Sequence, residues 1–309
     1  MLSKVAERVY WTARYIERVE NTARLVKIYA SLLLDMPKDV NLGWYNLVVL
    51  NSIEVQFNER YKNRDERNVV KFILGDQNNP ISVVSSLQMV RENIRTTRDV
   101  VPSESWEVVN ELSLFVSENL NQGINRKERH EFLDGIIRGC QQLNGLLYGT
   151  MNHDAAWDFM RLGRNLERAD MTTRILDAGA SAVSTLSDDE AAVNARQIIW
   201  GNVLRSLDAD QSYRRVLRKP VRGRDVACYL LEDPQYPRTI KHCLVAIADS
   251  TEKLPSADVV VNLLESIGKK VFKKVDYDNL GSEFRDYLND LQIKLGNIHE
   301  KISENWFNG

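Results

Sequence analysis

Apolar residues recur at spacings of three and four along most of the chain, which is the period of one face of an α-helix. The pattern is clearest near the N-terminus, where it predicts one long helix over residues 3–35. The same periodicity predicts helices over residues 43–60, 81–100, 104–120, 127–150, 153–177, 189–218, 238–250, 257–276 and 282–306. No segment shows the alternation of apolar and polar residues that indicates a strand. The sequence therefore predicts an all-α protein, a multi-helix bundle with short polar turns.

Two features refine this architecture. A small-residue and serine-rich link, residues 179–189, is the one shift in composition. We therefore expect a single helical domain over 1–309, with 1–178 and 190–309 as its candidate halves. Residues 127–150 also carry two pairs of glycines four residues apart, Gly135 with Gly139 and Gly145 with Gly149. A glycine inside a helix costs about 1 kcal/mol relative to alanine, so these glycines predict close helix packing.

Two of the predicted helices carry the same charged pattern in the same register, R-x-x-E-R-x-[DE]-x-T-x-R. Copy 1 comprises Arg14, Glu17, Arg18, Glu20, Thr22 and Arg24, and copy 2 comprises Arg164, Glu167, Arg168, Asp170, Thr172 and Arg174. Aliphatic residues around the ionic ones also match, such as Ile16 with Leu166. This agreement predicts an internal duplication of the helix.

Three interpretations of the motif remain open. In the first, the motif forms a solvated face with ion pairs between residues four apart, such as Glu20 with Arg24. Arg14 and Arg18 count against it, because like charges four residues apart are destabilising. In the second, the two copies form a reciprocal buried ion network. In the third, paired arginines from both copies bind a carboxylate or a phosphate, and the glutamates orient them or bind an amine.

Composition narrows the class of protein. The chain has 309 residues, 43% apolar content and a formal net charge of −2. This near-neutral charge does not indicate binding to nucleic acid or to a membrane. Charged residues near the start argue against a secretory signal, no segment is apolar for the length of a bilayer, and three cysteines without C-x-x-C spacing favour a reducing compartment. We expect a cytoplasmic protein.

Established catalytic and cofactor motifs are absent from the sequence. It has no G-x-x-x-x-G-K-[ST], no G-x-G-x-x-G after a strand, no H-E-x-x-H and no G-x-S-x-G. No cofactor is evident and no metal site is expected. Among the histidines, His153 is the most suggestive because it precedes the helix of copy 2, although a histidine at a helix start more often caps or packs.

The opening segment MLSKVAERVYWTARYIERVENTARL strongly resembles the start of the bacterial Alpha-E family of helical proteins. The segments TMNHDAAWDFMRLGRNLERADMTTRILD, RSLDADQSYRR and DVACYLLEDPQYPRTIKHCL fit the same family in order. The resemblance covers essentially the whole chain. It carries the family motif onto the ionic positions of both copies, and Arg238 in YPRTI also falls within a family motif.

The resemblance implies a functional context. Alpha-E proteins are associated with circularly permuted ATP-grasp proteins and with transglutaminase-like proteins. ATP-grasp enzymes activate a carboxylate and transfer it to an amine. We therefore expect an accessory or substrate-handling component of a peptide ligation system. Its ligand, a small peptide, an amino acid or a phosphorylated intermediate, would be bound by Arg14, Arg18, Glu20, Arg24, Arg164, Arg168, Asp170, Arg174, Arg238 and His153.

Two alternatives belong to other classes of function. The chain is an enzyme if Glu17 or Glu167 serves as a general base on a peptide-like substrate, with the arginines stabilising the developing negative charge. It is a non-catalytic helical scaffold if the motif is only a structural ion network. Spacing along the sequence does not choose among the three.

Overall fold

The computed structural model describes residues 1–36, 42–186, 190–272 and 275–308, and only the backbone of residues 190, 191, 269 and 270. Over these residues every regular element is a helix. The helices are α1 Ser3–Asp35, α2 Asn46–Leu50, α3 Glu54–Arg60, α4 Glu66–Gly75, α5 Val83–Arg95, α6 Glu104–Ile124, α7 Arg129–Thr150, α8 Ala155–Ser184, α9 Glu190–Ser206, α10 Asp210–Leu217, α11 Gly223–Glu232, α12 Ile240–Thr251, α13 Asp258–Val271 and α14 Ser282–Trp306. The prediction of an all-α multi-helix bundle is confirmed.

Two of the expected helices are broken by residues in the left-handed region of backbone space. The segment 43–60 divides into α2 and α3 near Ser52, whose φ is 56°, and the segment 189–218 divides into α9 and α10 near Asp208, whose φ is 57°. A left-handed residue cannot continue a right-handed helix. Two short helices, α4 and α11, were not predicted at all.

The chain divides into two compact units. The first contains residues 1–27, 44–164 and 306–309, and the second contains residues 28–43 and 165–305. Three of the boundaries, after residues 27, 164 and 305, fall inside helices, namely α1, α8 and α14. The serine-rich link begins as the last turns of α8, and its residues 187–189 lie outside the described residues.

In the first unit, α6 and α7 pack closely. A Cβ atom at Gly135 would lie 2.4 Å from the ring of Phe115, and one at Gly139 would lie 2.6 Å from Leu112. These two glycines therefore permit the close approach that the sequence predicts. A Cβ atom at Gly145 or Gly149 would meet nothing within 4 Å, so the second pair has no packing role.

Side-chain caps fix several helix starts. Asp65 accepts a hydrogen bond from the backbone N–H of Asn68 at 2.9 Å at the start of α4, and Asp154 accepts one from Ala156 at 2.9 Å at the start of α8. Such caps satisfy backbone donors that a helix leaves without an internal acceptor. None of the helices in the described ranges is long and apolar enough to cross a membrane.

Candidate functional site

Copy 1 of the motif lies in the middle of α1, where the helix is buried on nearly every side. Glu17 exposes 1% of its surface, and Arg14, Glu20 and Arg24 are also buried. Arg18 is half-buried. Ionised side chains are almost never fully buried unless they are paired. The interpretation of copy 1 as a solvated face is therefore wrong.

The acidic side chains of copy 1 lie near α7. Glu20 accepts a hydrogen bond from Nη2 of Arg24 at 2.9 Å, so the ion pair expected four residues apart is present. Cys140 of α7 is buried, and burial raises the pKa of its thiol well above the ordinary value, with further increases from the negative charges of Glu20 and Glu17. Cys140 is therefore a neutral core thiol. Sequence reasoning did not place Cys140 in the core, although it lies in the apolar stripe of α7 with Ile136, Ile137 and Leu143.

Aromatic rings hold two arginines of copy 1. The guanidinium carbon of Arg14 lies 4.9 Å from the centroid of the Trp11 ring, and that of Arg18 lies 5.5 Å from the Tyr15 ring. Both distances are within the range of a cation–π contact. A guanidinium group that stacks on an aromatic ring keeps its N–H groups available, because they point outward in the plane of the group.

Copy 2 lies on α8, and its Glu167 is buried, with 3% of its surface exposed. Its other ionic residues, Arg164, Arg168, Asp170 and Arg174, are half-buried. Nε of Arg174 donates to Oδ2 of Asp170 at 2.8 Å, which is again the expected pair. Copy 2 is thus not a solvated face either, but its ions are less deeply buried than those of copy 1.

Arg238 lies beside copy 2 in the second unit. Oγ1 of Thr172 donates to the backbone carbonyl of Arg238 at 2.8 Å, and both residues are buried. The adjacent Thr239 caps α12 by accepting from the backbone N–H of His242 at 3.3 Å. The structure therefore brings the YPRTI segment to the motif helix, and the contact with Thr172 is made by the backbone of Arg238.

Gly163 marks a backbone contact between α8 and α1 inside the first unit. A Cβ atom at residue 163 would lie 2.2 Å from the carbonyl oxygen of Tyr10 and 3.2 Å from Cγ of Arg14. No L side chain fits there without a backbone shift. Arg164 follows directly, so the first arginine of each copy flanks the same helix contact. Sequence reasoning missed Gly163, although an isolated glycine inside a helical pattern indicates close packing.

His153 and Arg164 both contact Trp157 in the first unit. The His153 ring stacks on Trp157 with centroids 4.3 Å apart and planes 7° apart, and the guanidinium carbon of Arg164 lies 5.5 Å from that ring. Nε2 of His153 is 3.2 Å from the carbonyl oxygen of Tyr148. These contacts are packing contacts, and His153 itself is exposed.

Two cationic side chains lie at the contact between α8 and α1 in the first unit. Arg14 and Arg164 flank one helix contact, and each lies on the ring of a tryptophan. Planar guanidinium groups match the paired oxygens of a carboxylate or a phosphate. Across the part of the chain that the structure describes, no three His, Cys, Asp or Glu side chains come together as a group that could hold a metal ion.

A family model matches nearly the whole chain. The Alpha-E model, described as a predicted alpha-helical domain with a conserved ER motif, matches residues 1–307. A Glu-Arg pair stands at the centre of both motif copies. Uncharacterized proteins of Mycobacterium bovis and Mycobacterium tuberculosis are 21% identical to this chain over 328 residues. The alignments cover 97% of this chain and 36% of those proteins, so the chain spans about a third of their length. No solved structure matches the chain.

Proposed function

Since the chain belongs to the Alpha-E family, whose model covers nearly all of it, we propose that it is an accessory, substrate-handling component of a peptide ligation system. In this proposal an ATP-grasp protein makes the new bond, a transglutaminase-like protein acts in the same system, and this chain holds a carboxylate- or phosphate-bearing ligand. Arg14 of copy 1 and Arg164 of copy 2, which both lie in the first unit, bind the anionic group.

One observation carries the proposal. The first arginine of each copy flanks the contact between Gly163 and Tyr10, and each of the two guanidinium groups rests on a tryptophan. An anion placed near this contact would be attracted by both guanidinium groups. Each copy also carries three arginines against two carboxylates, so a singly charged anion would bring a copy to neutrality.

Binding measurements with arginine-to-lysine variants test the anion site. Calorimetry would use an acidic dipeptide and inorganic phosphate as probes of the wild-type protein, Arg14→Lys and Arg164→Lys. Lysine keeps the charge and loses the planar fork, so we expect each variant to bind about tenfold more weakly. Arg95→Lys is the matched control, because Arg95 is exposed and pairs with Glu92 on its own helix. Absence of binding, or equal weakening in the control, would contradict the proposal.

The accessory role has its own test. The rate at which the ATP-grasp protein of the same genome joins an acidic amino acid to an amine would be measured with and without this chain. We expect the chain to raise the rate, and Arg14→Lys to reduce that increase. A rate that does not depend on the chain would refute the accessory role, whatever the chain binds.

The scaffold and enzyme alternatives make different predictions for Glu17 and Glu167. If the motif is a purely structural ion network, Glu17→Gln and Glu167→Gln each lower the free energy of unfolding by about 3 to 5 kcal/mol. If the cluster is maintained for function, stability is unchanged or raised. An enzyme with a glutamate base would lose turnover in one of these variants while retaining ligand binding. The burial of Glu17 and Glu167 is the observation that supports the enzyme alternative.

A further inference from the structure

A basic groove lies in the second unit between α9, α10 and the segment that follows α10. Its volume is about 490 Å³, and its ionic lining consists of Arg205, Asp210, Arg214 and Lys219. The amide side chains of Asn194 and Gln197 also line it. None of these residues belongs to either motif copy, so the groove is a separate feature of the chain.

The charges of the groove are not balanced within it. Asp210 accepts a hydrogen bond from Nε of Arg214 at 3.2 Å, and the Arg214 side chain is 70% exposed. Across the described residues, Arg205 and Lys219 have no carboxylate within ion-pair distance. Three cations and one carboxylate leave a net charge of +2. A phosphate monoester carries about −1.5 to −2 at neutral pH, whereas a single carboxylate carries half of that charge.

Three tyrosine hydroxyls hold the walls of the groove in place. Tyr236 donates to the carbonyl oxygen of Leu207 at the end of α9, at 2.9 Å. Tyr229 donates to Oγ of Ser212 on α10, at 2.8 Å. Tyr213, which is fully buried, donates to the carbonyl oxygen of Pro220 beside Lys219, at 3.3 Å. Each of the three lining segments is therefore anchored to the core, which fixes the positions from which the exposed cationic side chains extend.

Gly201 gives the groove its depth at α9. It lines the groove in the middle of the helix, and the one atom that approaches a Cβ atom built there is Nη2 of Arg205, at 4.0 Å. Glycine weakens a helix relative to alanine, and among the described residues no protein atom outside the adjoining helix backbone comes closer than 4.0 Å to a Cβ atom built at this position. A ligand that approaches the helix backbone would require it.

We propose that this groove is a binding site for the phosphate group of a small phosphate monoester. The guanidinium groups of Arg205 and Arg214 and the ammonium group of Lys219 bind the phosphate oxygens. Gly201 leaves space for the phosphate against α9, and Asn194 and Gln197 contact the polar organic part. The site goes beyond the proposed function, because it uses no residue of the two motif copies.

Titration of phenyl phosphate by calorimetry tests the site. We expect Arg205→Gln and Lys219→Gln each to weaken binding about tenfold, since each removes one charge-assisted contact. Arg215→Gln is the matched control, because Arg215 is an exposed arginine of the same helix α10 outside the lining. We expect this control to bind like the wild type. Equal weakening in all three variants would overturn the site in favour of general surface attraction.

A steric variant and a second ligand sharpen the result. A Cβ atom at residue 201 has open space around it, and leucine favours a helix more than glycine does. We therefore expect Gly201→Leu to keep its melting temperature, to fill the groove without changing its charge, and to lose the binding of phenyl phosphate to the groove. Acetate is expected to bind at least tenfold more weakly than phenyl phosphate. Retained binding by Gly201→Leu, or acetate as tight as the phosphate, would overturn the proposal.

Motif variants separate this site from the proposed function. We expect Arg14→Lys and Arg164→Lys to leave phenyl phosphate binding to the groove unchanged. If those variants abolish binding and Arg205→Gln and Lys219→Gln do not, the phosphate binds at the motif, and the groove proposal is wrong while the proposed function is supported.

Discussion

The two motif copies share a sequence pattern and differ in their surroundings. The ion pair of copy 1 joins Glu20 and Arg24, whose side chains are 4% and 11% exposed. The matching pair of copy 2 joins Asp170 and Arg174, whose side chains are 24% and 23% exposed. The distances are nearly equal, at 2.9 Å and 2.8 Å. Geometry within the helix is therefore repeated, whereas burial is set by the segments packed around each copy.

The difference matters because burial determines how much free energy of unfolding is lost when an ion pair is broken. When one partner of a buried pair is removed, the remaining charge stays in a medium of low polarity, which is costly. When one partner of an exposed pair is removed, water solvates the remaining charge and the cost is small. The sequence repeat thus predicts similar contacts within the two helices, whereas the difference in burial predicts that these contacts contribute differently to stability. The units differ as well, since copy 1 lies wholly in the first unit and copy 2 from Asn165 onward lies in the second.

The largest expected effect compares Glu20→Gln with Asp170→Asn. Glu20→Gln should lower the free energy of unfolding by about 3 to 5 kcal/mol, because Arg24 would remain charged in a buried position. Asp170→Asn should lower it by about 1 kcal/mol or less, because the pair is partly solvated. Urea unfolding of both variants measures the difference. Equal losses would mean that the two copies are energetically alike, and the comparison would fail.

The next effect tests the contact at which α1 and α8 meet in the first unit. Gly163→Ala places a methyl group 2.2 Å from the carbonyl oxygen of Tyr10, and the backbone must shift to admit it. We expect a loss of about 3 kcal/mol, measured by urea unfolding. Gly145→Ala is the control: it also lies inside a helix but has open space around it, and we expect a gain of up to about 1 kcal/mol. A stable Gly163→Ala protein would refute the close contact.

The fold was predictable where the periodic pattern is long. Helix α1 begins and ends as expected, and so does α14, because their patterns extend over many turns. Helices α4 and α11 each have ten residues, which is shorter than the window of about 11 to 18 residues in which a helical period is recognised. At the break near Asp208, the hydroxyl of Tyr236 donates to the carbonyl oxygen of Leu207, and a contact with so distant a segment is not visible in the local periodicity.

The candidate site was predictable in its residues and not in its environment. The charged pattern and both i,i+4 pairs are visible in the sequence. The burial of Glu17 is not, because periodicity describes one helix and places its apolar face alone against the core. A helix in the middle of a bundle has neighbours on several sides, and those neighbours lie far away in the chain, as Cys140 does. The close contact of Gly163 with Tyr10 is likewise made between segments that are far apart in the chain, so the periodicity of one helix does not reveal it.

A smaller effect concerns Thr172 of copy 2. Its hydroxyl donates to the backbone carbonyl of Arg238 at 2.8 Å, and Thr172→Val removes this bond at nearly constant volume. We expect a loss of about 1 kcal/mol, measured by thermal unfolding, because a buried carbonyl loses its donor. Thr172→Ser keeps the hydroxyl and serves as the control. If valine and serine have the same effect, the hydrogen bond to Arg238 does not stabilise copy 2.

The smallest expected effect follows from a charge that is inverted between the copies. Lys27 and Asp177 occupy the same position after copy 1 and copy 2, and each pairs within its own unit: Lys27 with Asp134 of α7 at 2.5 Å, and Asp177 with Arg285 of α14 at 2.8 Å. All four side chains are partly exposed, so a double-mutant cycle on either pair should give a coupling of about 1 kcal/mol or less. That coupling should decrease in 1 M salt, where charges are screened within about 3 Å. A larger, salt-independent coupling at Lys27 would show that the burial of copy 1 extends beyond the motif itself, so that the two copies differ along the whole helix and not only at Glu20 and Arg24.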